Sequence, residues 1–374
     1  MKKTMAILFA CLLLGGSLAG LLLPDRGFSP RERRNLAKLP KWSLNALFSG
    51  EFTKKFESYA QDQFPLRDVL ISVKGTAEEL LQKKENNGLY FGKDGYLLDG
   101  LADFSREKWQ ENLSYIRRFG ENFHGKTVFL PVPTSAGAYP EKLPAFAPVT
   151  QQDALIGEAE KLCGSRVETA DALPSLREGG EGLYFRLDHH MTMEGAFVLY
   201  QKAGEALGFD PLPRDAFTAK TVSRNFYGTY YAKAGRLTDA PDSIDILLPR
   251  EEFSAAMTIQ DTGETIPGLY SQKQLEGYDP YAVFLDGNHA RVTIRTGAGN
   301  GRKLLVIKDS YAHTLVPLLA HHYEVIEMID PRYYRQDLYA FAEEQEIDEA
   351  LLVFGLANLD QETGLSTLYL GSEK

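Results

Sequence analysis

The chain of 374 residues holds only two cysteines, and they cannot cross-link the bulk of the sequence. Cys11 lies inside an N-terminal apolar run, and Cys163 stands alone in the rest of the chain. A disulfide within the part that follows the apolar run is therefore excluded. That part must be stabilised by its hydrophobic core.

The sequence also lacks an excess of basic residues. It has 41 Lys and Arg against 51 Asp and Glu, a formal net charge of −10, and a pI of about 5.3. A nucleic-acid-binding protein normally carries a basic face that neutralises phosphates, so this balance argues against that class. Internal repeats of solenoid length are not visible. With 44% apolar and 25% charged residues, the composition is that of a folded globular protein.

One long stretch, Met5 to Leu23, has no charged residue and follows Lys2 and Lys3. It reaches the length that spans a bilayer. The basic start favours a cleaved signal peptide, whereas the lack of a clean cleavage site before Pro24 favours an uncleaved membrane anchor. Both interpretations stay open. A third interpretation is that this stretch forms a helix buried in the protein core.

Export is the prediction for the bulk of the chain under the first two readings. We expect residues 1–24 to be a signal anchor or signal peptide, and the protein to be held at the cell membrane by one segment or secreted. Residues 25–374 carry 39 basic and 51 acidic side chains, a net charge of −12.

The apolar pattern changes twice along the exported part. Residues 25–120 predict helices and a β-hairpin around Lys93-Asp94-Gly95. From about 121 to 374, short apolar strands alternate with helices, which predicts an α/β domain whose parallel sheet is covered on both faces. Between about 208 and 300, short alternating runs broken by Gly, Pro and Asp predict a β-rich insertion.

The first residue that could carry chemistry is Ser310. It follows the apolar strand Leu304–Ile307 and precedes a predicted helix, which places it at the carboxyl end of a strand, where open α/β sheets build their sites. Backbone N–H groups at the start of that helix could stabilise an oxyanion. The alternative is that Asp309 or Ser310 only caps the helix.

The second candidate is the run Asp188-His189-His190 at a loop-to-helix junction. A serine hydroxyl becomes a good nucleophile when an imidazole takes its proton and a carboxylate orients that imidazole, so Asp188 and His190 could serve one site with a serine. A surface histidine pair is one alternative. A zinc site with His289 is another, but no HExxH or paired-cysteine spacing accompanies these residues, and we expect no metal.

The third candidate is Asn358, in Gly355-Leu356-Ala357-Asn358 after another predicted strand. Its amide could donate a hydrogen bond to an oxyanion, and Gly355 would allow a close backbone approach. Alone, this segment would be a simple turn.

Together these loops resemble the SGNH hydrolase superfamily, and the sequence is most similar to the DHHW proteins, relatives of the alginate O-acetyltransferases. Further matching motifs run along the chain in one order: Phe28-Ser29-Pro30-Arg31-Glu32-Arg33, Asp62-Gln63-Phe64-Pro65-Leu66-Arg67, Asn86 to Gly92, Tyr139 to Pro144, Phe226-Tyr227-Gly228-Thr229, Gly287-Asn288-His289 and Lys308 to His313.

The resemblance implies an SGNH-type fold and assigns roles by position. Asp188 and His190 fall on the family's Asp-x-His pair, Ser310 on its nucleophile and Asn358 on the oxyanion asparagine, with the Ser310 N–H as the second donor. Two departures stand out: Met191 replaces a common Trp, and Lys308 replaces a common Gly and could narrow the approach to Ser310.

The expected function is transfer or hydrolysis of an acyl group, most simply acetyl, on a cell-surface polysaccharide, without a cofactor. By analogy, a membrane-bound O-acyltransferase could supply the acyl group. The alternative is a non-catalytic surface protein of the same fold that binds glycan or another cell-wall partner through its tyrosine-rich insertion.

Overall fold

The computed structural model describes residues 2–29, 31–236 and 240–371. Pro30 of the Phe28–Arg33 motif, residues 237–239 of the predicted insertion and the last three residues of the predicted α/β domain therefore lie outside the described residues. The chain divides into two compact units, unit 1 (Met1–Asn86 and Tyr231–Ala240) and unit 2 (Asn87–Tyr230 and Pro241–Lys374). The predicted limits at 24 and 120 stay predictions.

The helices and strands are numbered in chain order. The α-helices are α1 (Lys2–Leu22), α2 (Leu44–Phe48), α3 (Glu51–Asp62), α4 (Arg67–Leu80), α5 (Arg106–Asn122), α6 (Ser135–Ala138), α7 (Gln152–Cys163), α8 (Leu173–Glu178), α9 (Met193–Leu207), α10 (Thr229–Ala234), α11 (Ala312–Leu319), α12 (Leu338–Glu344) and α13 (Leu356–Leu359). The strands are β1 (Phe28–Ser29), β2 (Arg34–Asn35), β3 (Glu85–Asn86), β4 (Leu89–Phe91), β5 (Leu97–Asp99), β6 (Lys126–Val132), β7 (Val167–Thr169), β8 (Phe217–Phe226), β9 (Asp242–Pro249), β10 (Ala255–Ile259), β11 (Glu264–Pro267), β12 (Arg291–Thr296), β13 (Lys303–Lys308), β14 (Val325–Ile329) and β15 (Glu349–Gly355).

Unit 1 is mainly helical. Helix α1 contains the candidate membrane span Lys3–Gly20, with a mean hydropathy of 1.6, so it is long and apolar enough to cross a bilayer or to act as a signal. Arg34 donates to both carboxylate oxygens of Asp62 at the end of α3, and Asp62 also accepts the Ala37 N–H at 2.8 Å. These hydrogen bonds hold β2 and the residues just after it against the end of α3.

Unit 2 is built on an eight-stranded mixed sheet in the order β11-β10-β12-β14-β13-β15-β6-β7. The five strands from β14 to β7 are parallel, as predicted, and Ile307 lies between Ile329 and Leu352. Alternate residues of β13 enter two separate cores, with Leu304 and Val306 in one and Leu305 and Ile307 in the other. Helices therefore cover both faces.

The predicted parallel sheet is in fact mixed, because antiparallel strands extend it at one edge. Strands β10, β11 and β12 are antiparallel to their neighbours and extend the same sheet, while β8 and β9 form a separate antiparallel pair. Short turns can join only antiparallel strands, and β10 is joined to β11 by such a turn. The antiparallel pattern predicted for 208–300 is therefore present, but part of it continues the main sheet.

Candidate active site

The turn that carries Ser310 lies between β13 and α11 at the carboxyl edge of the sheet. Ser310 is half-buried, and the preceding Asp309 is fully buried. Asp309 accepts the Tyr311 N–H at 2.9 Å and, through its other oxygen, the Gly355 N–H at 2.8 Å. Burial raises the pKa of Asp309, and these hydrogen bonds oppose that shift. The carboxylate thus ties the Ser310 turn to the end of β15.

Ser310 is hydrogen-bonded to one of the predicted histidines. His190 Nε2 lies 2.8 Å from Ser310 Oγ, and His190 Nδ1 lies 2.6 Å from Asp188 Oδ1. The backbone N–H of His190 also donates to Asp188 Oδ1 at 3.0 Å. The structure therefore brings three of the four predicted site residues into one chain of hydrogen bonds. This is the geometry of a nucleophile, a base and a group that orients the base.

Asp188 is suited to remain ionised, although it is 1% exposed. Its Oδ2 accepts the Thr229 N–H at 2.7 Å and the Thr229 hydroxyl at 2.8 Å. Burial raises the pKa of Asp188, but His189, His190 and the hydrogen bonds outweigh it and hold that pKa well below its ordinary range.

Gly228 and Thr229 are site residues to which sequence reasoning assigned no role. A Cβ at residue 228 would overlap Asp188, so only glycine allows this close approach. The one signal for them was the motif Phe226-Tyr227-Gly228-Thr229, which carried the family resemblance but no chemistry.

Tyr281 forms an aromatic wall beside His190. The two rings stack with centroids 3.7 Å apart and an interplanar angle of 9°, and Tyr281 Oη donates to the Ser310 carbonyl at 3.2 Å. Met191 is 1% exposed and packs in the core. The aromatic face beside the base therefore comes from Tyr281, a distant residue that no local motif indicated.

Asn358 lies on the neighbouring loop, where its Nδ2 donates to Asp309 Oδ2 at 2.9 Å. One of its two amide N–H groups is thus engaged with the turn that carries Ser310. Its contribution to an oxyanion hole stays a prediction.

Lys308 is fully buried beneath the turn. Its Nζ lies 2.8 Å from His313 Nε2 and 3.3 Å from Asp330, which also pairs with Arg332. Burial lowers the pKa of both Lys308 and His313. The side chain that replaces the common Gly is therefore held among buried polar groups of the sheet edge.

The metal alternative can be judged from the same contacts. Ligand atoms of Asp188, His189 and His190 lie within 4.8 Å of one another, whereas His289 contacts Asp286 instead. Both ring nitrogens of His190 are already hydrogen-bonded, to Asp188 and to Ser310. A metal ligand must offer a free nitrogen lone pair, so this arrangement favours the hydrogen-bonded site.

The family model described as DHHW protein matches residues 171–329, which include Asp188, His190 and Ser310. The DHHW resemblance is confirmed. None of the curated proteins matches the chain significantly.

Solved structures of similar fold include a DHHW family protein from Eubacterium siraeum, with 22% identity and a TM-score of 0.65 over 76% of this chain and 95% of that one. Bacillus cereus PatB1 with a sulfonyl adduct has 20% identity and a TM-score of 0.62 over 74% of this chain and 97% of that one. At these identities the likeness establishes a shared fold.

Proposed function

We propose that this chain is an extracytoplasmic SGNH-type enzyme that transfers an acyl group, most simply acetyl, to or from a cell-surface polysaccharide. The observation that carries the proposal is the hydrogen-bonded series Ser310–His190–Asp188, with separations of 2.8 and 2.6 Å. Ser310 at the end of this series is partly exposed, while His190 and Asp188 are buried.

In the first half-reaction Ser310 Oγ attacks the carbonyl carbon of the acyl donor while His190 Nε2 takes the serine proton. Asp188 holds the ring through Nδ1 and stabilises its cation. The tetrahedral intermediate then collapses, the leaving oxygen takes the proton from His190, and the acyl group remains as an ester on Ser310.

The oxyanion of the tetrahedral intermediate would be held by the Ser310 N–H and by the Asn358 N–H that is not bonded to Asp309. Because Asp309 and Tyr281 hold the turn from two sides, the Ser310 N–H is oriented before the substrate arrives. Such preorganised donors stabilise a developing charge without reorganising during the reaction.

In the second half-reaction a sugar hydroxyl loses its proton to His190 and attacks the ester carbonyl. The bond between the acyl carbon and Ser310 Oγ then breaks, Oγ takes the proton back from His190, and the acyl group remains on the polysaccharide. With water as the attacking group, the same steps give an esterase. The acyl group would be supplied by a membrane-bound O-acyltransferase partner, by analogy with the alginate O-acetyltransferases that the sequence resembles.

Bacillus cereus PatB1, a protein of the same fold, has been solved with a sulfonyl adduct, which guides the choice of a chemical probe. Sulfonyl fluorides modify activated hydroxyl nucleophiles. They are therefore suitable probes for Ser310.

The test combines turnover of an aryl acetate with labelling by phenylmethylsulfonyl fluoride, read by intact mass, on the full chain. Ser310→Ala should lose the label and lower kcat about 10⁴-fold or more, because it removes the nucleophile. Ser366→Ala, at an exposed serine, is the matched control and should change neither readout.

Unchanged turnover and labelling in Ser310→Ala would contradict the assignment of the nucleophile. Glycan binding by a wild-type chain that shows neither turnover nor label would favour the non-catalytic alternative. The products separate the two enzyme classes, since a transferase forms acylated oligosaccharide faster than free acid.

A further inference from the structure

Helix α4 of unit 1 presents an apolar stripe to solvent. The exposed fractions are 74% for Leu66, just before the helix, 51% for Val69, 51% for Val73 and 80% for Leu80. The spacing of three, four and seven residues places these side chains on one face. A contiguous exposed apolar face of this kind marks an interaction surface.

The opposite face of α4 is already occupied. Ser72 and Gly75 are its buried residues, and a Cβ at residue 75 would overlap the carbonyl oxygen of Gly235 in the same unit. The helix is therefore docked through its small residues, so the larger apolar residues are left on the outside. The usual arrangement of a surface helix, with its apolar side inward, is reversed here.

Charge distinguishes this region from the remainder of the chain. Residues 25–84 contain 12 Lys and Arg and 8 Asp and Glu, a net charge of +4. Residues 85–374 contain 27 Lys and Arg and 43 Asp and Glu, a net charge of −16. A basic segment that exposes apolar side chains complements an anionic lipid surface, whereas the acidic remainder would be repelled by it.

The stripe begins beside the end of the apolar helix α1. Gly20 and Leu23 line a groove of about 330 Å³ together with Phe64, Leu66 and Val69. Leu66 has a φ of +57°, in the left-handed region that a branched residue rarely adopts, and yet its side chain is exposed. The chain accepts this strain where it turns from α3 into α4, next to the segment that could span a bilayer.

We propose that α4 lies along the outer surface of an anionic lipid bilayer, with the stripe at Leu66, Val69, Val73 and Leu80 among the headgroups and upper acyl chains. This inference is independent of the proposed chemistry. It gives unit 1 a membrane contact in addition to α1. An amphipathic helix in this position inserts its apolar face by roughly 5–10 Å.

The test uses spin labels on the full chain, reconstituted in vesicles of phosphatidylcholine and phosphatidylglycerol without other proteins. Buried Cys163 should not react, so native Cys11 in α1 provides the first labelling site. In a Cys11→Ser background, Val73→Cys places a label on the stripe. Thr221→Cys places a control label at an exposed position of β8 in unit 2.

Accessibility is measured by power saturation with oxygen, which concentrates in lipid, and with a water-soluble nickel chelate. We expect the labels at 11 and 73 to be accessible to oxygen and shielded from nickel, and the label at 221 to be accessible to nickel. Lowering the phosphatidylglycerol content or raising the salt concentration should increase nickel access at 73, because the basic charge of the region contributes to the contact.

The proposal is overturned if the label at 73 is as accessible to nickel as the label at 221, whether or not the label at 11 enters the bilayer. The same result would indicate that a protein partner, absent from these vesicles, covers the stripe. As a second variant, Leu70→Asp beside the label at 73 should restore nickel access, since a carboxylate opposes insertion. No change in nickel access would also contradict the proposal.

Discussion

Units 1 and 2 place their large apolar side chains in opposite environments. In unit 1, Phe48 is 86% exposed and Leu81 is 83% exposed. In unit 2, Trp109 and Phe119 are fully buried in one of the two cores, which packs on one face of the sheet. Unit 1 leaves several of its large apolar side chains in solvent, whereas unit 2 encloses most of its own in two cores.

This difference in burial suits the two units to different functions, a catalytic site in unit 2 and a membrane contact in unit 1. A site that depends on hydrogen bonds of 2.6 to 2.8 Å needs a rigid support, and unit 2 provides one at the edge of its sheet. A surface that enters a lipid interface needs exposed apolar residues, which unit 1 provides. The two units should therefore respond differently to substitution.

The largest effect is expected from Asp188→Asn in unit 2. An amide in place of the carboxylate favours the wrong tautomer of His190 and no longer stabilises its cation, so kcat for an aryl acetate should fall about 10⁴-fold. Turnover and thermal unfolding are measured together. Lys55→Ala in unit 1 is the control and should keep full turnover, and a fall of less than tenfold in Asp188→Asn would contradict the assigned role.

A second contrast is acid sensitivity, because all seven histidines lie in unit 2. Burial, with a smaller effect of His322, lowers the pKa of His321 to about 4 from its ordinary value of 6.5. The folded state thus favours the neutral ring. The free energy of unfolding is therefore at its full value above pH 6.5, and it falls as the pH drops from 6.5 to 4, because the unfolded chain then binds a proton at His321 and the folded chain does not.

For His321 this loss should amount to about 2–3 kcal/mol of unfolding free energy. Urea unfolding at several pH values measures it. His321→Phe keeps the stacking on Phe253, whose ring centroid lies 4.0 Å away, and should show a flatter dependence. An identical pH dependence in the two proteins would rule out this origin of the acid sensitivity.

A smaller effect is expected from Gly355→Ala at the carboxyl edge of the sheet. The new Cβ would overlap the ring of Tyr311, so strand β15 or the Ser310 turn must move, at a cost of about 1–3 kcal/mol. Gly157→Ala in α7 is the matched control, because among the described residues no atom outside the adjacent residues and the neighbouring helix backbone lies within 4 Å of an added Cβ. It should leave stability unchanged or raise it by up to about 1 kcal/mol, and equal effects of the two substitutions would contradict the packing argument.

The smallest effect is expected in unit 1. The pair Lys55–Glu51 is separated by 2.6 Å, but both side chains are more than half exposed. Lys55→Ala should leave the midpoint of urea unfolding unchanged within the error of the measurement, since water and salt screen such pairs. A clear fall in that midpoint would show that unit 1 depends on its surface ion pairs.

Local patterns predicted much of unit 2. The expected helix after Asp188-His189-His190 is α9, and Thr192 caps it by accepting the Gly195 N–H. The apolar strand before Ser310 is β13, and it is parallel to β14 and β15. These features depend on residues that are close in sequence, so rules on residue spacing and helix capping can predict them.

Contacts between residues that are distant in sequence could not be predicted from such rules. Thr229 lies 41 residues from the carboxylate that it hydrogen-bonds, and nothing local marks Tyr281 as the ring that stacks on His190. The place of β10 to β12 in the main sheet was also missed, because strand neighbours depend on which edges meet after folding.

The sequence by itself determined the reactive groups, the alternation of strands and helices, and the apolar start of the chain, because these follow from residue type and short-range periodicity. Only the tertiary structure decided that Ser310 and His190, 120 residues apart, meet at 2.8 Å, and that α4 docks through Ser72 and Gly75 with its stripe outward. The physical reason is that both outcomes depend on which surfaces are buried together, and burial is a property of the whole packed chain.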